Sequence, residues 1–279
     1  ISLRVTGCMM PSESVTVCVL LYGDYKDLAV RCIESIRDAQ WHDSVNIVIG
    51  MNAVCPGARE YIYDLYGNHP RATVFDSEQN IRKYPMMRHM FYDPECGALK
   101  SDAVMWFDDD SYLKAGSVSQ QLGWLDACCN DLRTRGDMFG SKYTRLWQGQ
   151  QKQWVRQQLW FNPKVDMSTS QLSFITGGWW YANSSMLRAA DYPWRSLSHN
   201  GGDSMLGEMC RHVGYRQRAY SGGGVAINAD AAGVESAAVR RGVCEAEIGK
   251  YATAGTVAAA VTPSVGDSVR LIGDNGILR

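Results

Sequence analysis

The chain has 279 residues, a formal net charge of −1, 46% hydrophobic and 20% charged residues. That composition supports one large α/β domain, or a domain with an appendage, and gives no bulk charge to draw nucleic acid or an acidic membrane. No apolar run approaches the ~18 residues of a membrane span, and no secretory signal is visible, although residue 1 is Ile. The nine cysteines are odd in number and irregular in spacing. Several lie inside apolar patterns (Cys18, Cys32, Cys210), which predicts reduced thiols in a cytoplasmic protein, with Cys128-Cys129 as helix packing.

In chain order, residues 1–13 read as a poorly ordered leader. Val15–Leu21 (VTVCVLL) is a strand that ends at the turn signal Tyr22-Gly23-Asp24. Lys26–Gln40 is a helix with Leu28, Cys32, Ile33 and Ile36 on one face. Val45–Met51 is a second buried strand, Gly57–Tyr66 a helix, Ala72–Phe75 a short strand, and Tyr84–Tyr92 a helix with Pro85 in its first turn. A strand over 104–107 follows. Alternation at this spacing predicts right-handed crossovers and a mostly parallel sheet, with a nucleotide-binding half over 14–115.

Gly116–Gly136 reads as a long helix. Residues 147–194 then hold six of the nine tryptophans together with many glutamines. Leu172–Thr176 and Trp179–Ala182 read as two strands around a Gly177-Gly178 turn, and Ser204–Val213 as a helix closed by Gly214. The second half of the domain is placed at 116–220. Residues 221–279 form a C-terminal extension without an assignable role; Ala237–Thr253 could hold a helix.

The chemistry concentrates at Val104-Met105-Trp106-Phe107-Asp108-Asp109-Asp110, where an apolar strand runs into three carboxylates. If the chain stays extended, Asp108 and Asp110 share one side. Carboxylates side by side repel unless something positive lies between them. Mg²⁺ held by one or two carboxylates and a diphosphate meets that need, at the strand end where open α/β sheets gather ligands. A solvated turn or helix cap explains the triplet too.

In Gly201-Gly202-Asp203, the glycines allow close backbone approach, and Asp203 reads either as an N-cap or as a general base. Trp179-Trp180-Tyr181 reads either as core or as a sugar-stacking platform; alternation predicts that one tryptophan of the pair points inward. The basic run Asn80-Ile81-Arg82-Lys83, with Arg88, reads as a phosphate contact or a solvated face. No phosphate-binding P-loop, dinucleotide fingerprint or nucleophile elbow is present.

Taken in order, these segments resemble GT-A-fold glycosyltransferases, most like the family 2 group. The resemblance rests on SVTVCVLLYGDYKDLAVRCIESI, on VNIVIGMNAV, and on the run Asn80, Arg88, Ala98 and FDDDSY. It continues through FITGGWWYANSSML and GGDSMLGEMCRHVGYR, and so covers about residues 14–220. It implies a GT-A (Rossmann-like) sheet with a mixed acceptor-side subregion. It further implies metal-dependent, inverting transfer from a nucleoside-diphosphate sugar to an acceptor hydroxyl, with Mn²⁺ or Mg²⁺ as cofactor.

Carried over by position, Asp108 and Asp110 are the metal pair and Asp203 the catalytic base. Tyr22, Asp24, Asn52, Asn80, Arg82, Arg88, Asp108 and Asp109 form the donor side. Gly177, Gly178, Trp179, Trp180 and Gly202 form the acceptor side, with Thr176 beside them. The chain departs from the family at Asn52, where an acid is usual, and at Gly202, where an acid precedes the base. The Q-x-x-R-W motif of processive members is absent, which implies a non-processive enzyme. No histidine follows His212, so a late metal ligand falls to Asn228, Asp230 or water. Other readings on a related fold are a nucleotidyltransferase or an Asp-nucleophile phosphatase; a non-catalytic sugar-binding module is a third.

Overall fold

A computed structural model describes residues 14–38, 45–114, 137–147, 151–197, 201–220, 224–227, 229 and 270–271. The expected leader, the helix over 116–136, Cys128-Cys129, Asn228, Asp230 and the possible helix over 237–253 lie outside these residues.

β1 (Val15–Tyr22) is flanked in parallel by β2 (Val45–Asn52) on one side and β4 (Ala103–Asp108) on the other. β3 (Ala72–Ser77) extends the parallel run beyond β2. On the other side, β7 (Gln171–Asn183) pairs antiparallel with β4, and β6 (Met138–Leu146) pairs antiparallel with β7. The short strands β8 (Gln217–Ala219) and β10 (Arg270–Leu271) close the two edges. The order is β10-β3-β2-β1-β4-β7-β6-β8. A separate two-stranded sheet joins β5 (Tyr112–Leu113) to β9 (Val225–Ala226). The expected α/β class with a mostly parallel centre and a mixed second half is therefore what forms.

Both faces of the sheet are covered, which is why the parallel strands read as unbroken apolar runs. On one face, Val17, Val19 and Leu21 pack with α1 (Lys26–Asp38) and α2 (Pro56–Tyr66). On the other, Cys18 and Leu20 pack with α3 (Lys83–Tyr92), which inserts Met86, Met87 and Met90. Among the described residues, α4 (Gln151–Arg156), α5 (Ser184–Ala189) and α6 (Gly202–Val213) complete the α-helices. Cys18, Cys32 and Cys210 are buried free thiols, as expected.

Strand sequence reverses between β1 and β4: β2 and β3 step away on one side, β4 and β7 on the other. Such a switch point opens a crevice at the carboxyl ends of its two strands. Here those ends carry Tyr22 and Asp108.

One expectation is corrected in this frame. Gly177-Gly178 is not a turn between two strands, because residues 171–183 form one continuous strand. The irregularity is a bulge. Gly140 pairs with Trp180 and Lys142 with Ile175, so one residue of β6 faces four of β7, Thr176 to Trp179. A bulge of this kind bends the strand and frees backbone groups from the ladder.

Candidate active site

At the carboxyl ends of β1 and β2, Tyr22, Asn52 and Asn80 meet. The Asn52 amide donates to the Asn80 side-chain oxygen at 3.1 Å, and the Asn80 amide donates to the Tyr22 hydroxyl at 3.2 Å. The Asn52 oxygen accepts the Ile81 N–H at 2.9 Å, and the Asn80 oxygen also accepts the Arg82 N–H at 2.9 Å. Asn52 is buried and Asn80 exposed, so a buried amide fixes the loop that enters α3. Arg82 is exposed, at φ 79°, immediately before that helix. Asp24 is exposed past Gly23, whose carbonyl accepts the Cys55 N–H and ties the end of β1 to the start of α2.

Arg88 does not join this cluster. Its guanidinium donates to Asp191 at 2.8 Å and to the Pro193 carbonyl at 2.7 Å, and it lies over the Tyr92 ring. It secures the 191–193 turn. Helical spacing explains the difference, because Arg88 lies more than one turn beyond the helix start at Lys83.

The carboxylate triplet does not stay extended. Ser111 N–H donates to the Asp108 carbonyl at 2.9 Å, closing a turn over 108–111. This removes the strand alternation on which a shared face for Asp108 and Asp110 depends. Asp109 and Asp110 are buried at 3% and 6% exposure. All three carboxylates act on the buried Cys32 thiol, whose pKa is raised by burial first and then by them. Asp108 alone of the triplet is more open, and both its oxygens are engaged. Trp106 Nε1–H donates to Oδ1 at 2.9 Å, and the Lys83 ammonium sits 2.5 Å from Oδ2.

Lys83, expected only as part of a basic run that contacts phosphate or faces solvent, connects Asp108 to the bulge of β7. It donates to Asp108 and also to the Gly177 carbonyl, at 3.3 Å. Burial disfavours its ammonium most, but Asp108, Tyr84 and Asp203 together outweigh that, and its pKa is raised. The Gly177 N–H donates in turn to Asp203 Oδ2 at 3.2 Å. The bulge in β7 thus offers its carbonyl to Lys83 and its N–H to Asp203.

Asp203 lies in the first turn of α6, one residue inside Gly202, and is not the N-cap; that place belongs to Gly201 at φ 85°. Its Oδ1 accepts the Ser204 N–H at 2.8 Å. Burial raises its pKa, opposed by Lys83, the Ser204 N–H, Arg145 and the Gly177 N–H. A carboxylate with a raised pKa is suited to accept a proton. Gly202 donates its N–H to the Tyr84 hydroxyl at 3.0 Å, and a Cβ at Gly202 would strike the Tyr84 ring. The glycine that replaces the family's acid is therefore required by this contact.

Trp179 and Trp180 do not form an acceptor platform. Alternation holds, with Trp179 on the face of α1 and α2 and Trp180 on that of α3. Both faces are covered, so each is 1% exposed and neither presents a ring. Trp180 stacks on Trp106, with centroids 6.0 Å apart and planes at 12°. Thr176 and Gly177 remain partly open on the cleft side of the bulge, while Gly178 is buried. Arg145, also unanticipated, donates to Ser204 Oγ at 3.0 Å next to Asp203.

These facts test the expected metal site. Asp108 is occupied on both oxygens, Asp110 is buried, and a turn separates them. Among the described residues no group of three or more His, Cys, Asp or Glu side chains is placed to hold a metal ion. The Lys83 ammonium already stands against Asp108, where a divalent ion would bring a second positive charge, and this argues against a metal held by that carboxylate.

A switch point in a mostly parallel sheet, followed by antiparallel strands, defines an open α/β architecture. More narrowly, the fold is that of the GT-A glycosyltransferases. It matches a mannosyltransferase from Pyrobaculum calidifontis, solved with GDP-Man and Mn²⁺, at TM-score 0.50 and 14% identity, over 75% of this chain and 55% of that one. TarS 1–349 of S. aureus, solved with UDP-GlcNAc, matches at TM-score 0.45 and 12% identity, over 76% of this chain and 57% of that one. The chain spans a little over half the length of these two structures. No family model and no curated protein matches the sequence.

Proposed function

We propose that this protein transfers a glycosyl group from a nucleoside-diphosphate sugar to an acceptor hydroxyl, with inversion and one sugar at a time. The observation that carries this reading is the connected path Asp108–Lys83–Gly177–Asp203 across the mouth of the switch point. It sets a cation on the donor side and a carboxylate with a raised pKa on the acceptor side of one cleft. The mannosyltransferase of the same fold was solved with a nucleoside-diphosphate sugar, the donor class proposed for this chain.

In this reading the Tyr22–Asn52–Asn80 cluster receives the nucleoside, with Arg82 and Asp24 at its rim. The acceptor hydroxyl lies at Thr176–Gly177 and gives its proton to Asp203. Its oxygen forms a bond to the anomeric carbon while the bond from that carbon to the diphosphate breaks. The electron pair leaves with the nucleoside diphosphate, whose charge faces Lys83. Holding the reactants in line and removing the proton at the moment of attack are the two contributions this geometry can make.

The reading is tested by thermal unfolding of the protein with UDP, GDP, CDP and TDP in turn. A ligand that binds only the native state adds about 2.7 kcal/mol at a hundredfold excess over its Kd. Stabilisation by one or two of the four is expected; no response to any of them would remove the donor site from the account.

A further inference from the structure

We infer that Lys83 is the resident cation of the donor site, and that nucleoside-diphosphate binding here requires no divalent metal. The inference rests on the proposed glycosyl transfer and specifies how its donor is held.

Asp108 is the member of the triplet that reaches the cleft, with a side chain 21% exposed against 16% for Lys83. Its charge is already matched by the ammonium at 2.5 Å. Its other oxygen is held by the indole of Trp106, and that ring is clamped between Phe91 and Trp180. A metal on Asp108 would share oxygens that already accept from the fixed Trp106 indole and the Lys83 ammonium, and would set a second positive charge beside that ammonium. Such charge-assisted contacts are the strong class of hydrogen bond.

An ammonium has three N–H donors. Among the described residues Lys83 gives one to Asp108 and one to the Gly177 carbonyl, which leaves one for a diphosphate oxygen. Lys83 is also the first residue of α3, so its backbone is fixed by the helix, and the exposed Arg82 stands beside it. A lysine held in this way supplies the positive charge that the side-by-side carboxylates seemed to demand of a metal. It does so at the same strand end and without a metal-ligand set.

The test is calorimetry with the four nucleoside diphosphates, on the full chain, in excess EDTA and again in Mn²⁺. The expected result is one nucleotide bound in EDTA with an affinity close to that in Mn²⁺. Lys83→Met should weaken it by about tenfold or more, as for loss of one charge-assisted hydrogen bond, and Lys83→Arg should restore part of the loss. Titration of Mn²⁺ alone, followed by electron paramagnetic resonance, needs no variant and should show no stoichiometric site. Binding that appears only with Mn²⁺, or a stoichiometric Mn²⁺ site lost in Asp108→Asn, would overturn the inference and leave the glycosyl-transfer reading standing. A wild-type chain that binds none of the four nucleotides in either condition would overturn both.

Discussion

At the scale of single residues, Asp203 has the most to answer for. If Asp203 is the base, as proposed, it must be ionised when the acceptor binds, and its raised pKa then sets the acid limb of the activity profile. Turnover should fall as pH drops through a value above the ordinary carboxylate range, and Asp203→Asn should cost about 10²–10⁴-fold in kcat while leaving nucleotide affinity intact. The groups facing it are Lys83, Arg145 and Tyr84; the two cations hold the pKa down and burial pushes it up. The sign of the linked stability follows. A carboxyl whose folded pKa exceeds its unfolded value favours the fold below the unfolded pKa and loses that contribution as pH rises through the folded pKa. Asp203→Asn should therefore raise the Tm at neutral pH, and the gain should vanish in acid below the usual aspartate range. An asparagine variant that is less stable at neutral pH and more stable in acid would contradict this placement. Arg88 makes the opposite case. Arg88→Ala should leave nucleotide binding unchanged by calorimetry, because its partners are Asp191 and Pro193. A tenfold loss would return it to the donor site.

Among the elements, β7 decides the shape of the site. Its bulge sets the Gly177 carbonyl and N–H toward Lys83 and Asp203, while the strand on either side remains in the sheet. The neighbouring tryptophans hold that strand from within. Trp180→Ala should cost about 3–5 kcal/mol in urea unfolding, as for other large core aromatics, with acceptor KM unmoved in protein that stays folded. A change confined to acceptor KM would show that the ring is reached by substrate after all.

Much of this architecture was legible. The parallel strands announced themselves because burial on both faces leaves continuous apolar runs, and α1 because its buried residues recur at helical spacing. β6 was not legible, since most of MFGSKYTRL from Ser141 onward is exposed and neither apolar nor alternating. The turn at 108–111 stood only as an alternative in the sequence, because three consecutive aspartates suit an extended chain equally well. Lys83 was legible only as part of a basic run, and its pairing with Asp108 and Gly177 was hidden for a different reason. Its partners lie 25 and 94 residues away in sequence, and no local pattern marks a lysine whose counter-ion comes from another strand.

Across the whole molecule, the switch point between β1 and β4 determines where chemistry can occur, and later parts of the chain are recruited to it. β7 brings the acceptor wall, and α6 brings Asp203. From the C-terminal extension, the Ala229 N–H donates to the Asp110 carbonyl while its own carbonyl accepts from Arg31, so that segment backs the carboxylate turn. β10 returns to the edge strand β3. At least part of the region after residue 220 therefore packs against the β1–β4 half of the sheet. Among the described residues no helix is long and apolar enough to cross a membrane. The most direct test of the central claim is identification of the products formed from a panel of nucleotide sugars with simple glycoside acceptors. Our account predicts release of a nucleoside diphosphate matched by a glycosylated acceptor, both lost in Asp203→Asn. Release of pyrophosphate or inorganic phosphate, or glycan binding with no donor consumed, would contradict it.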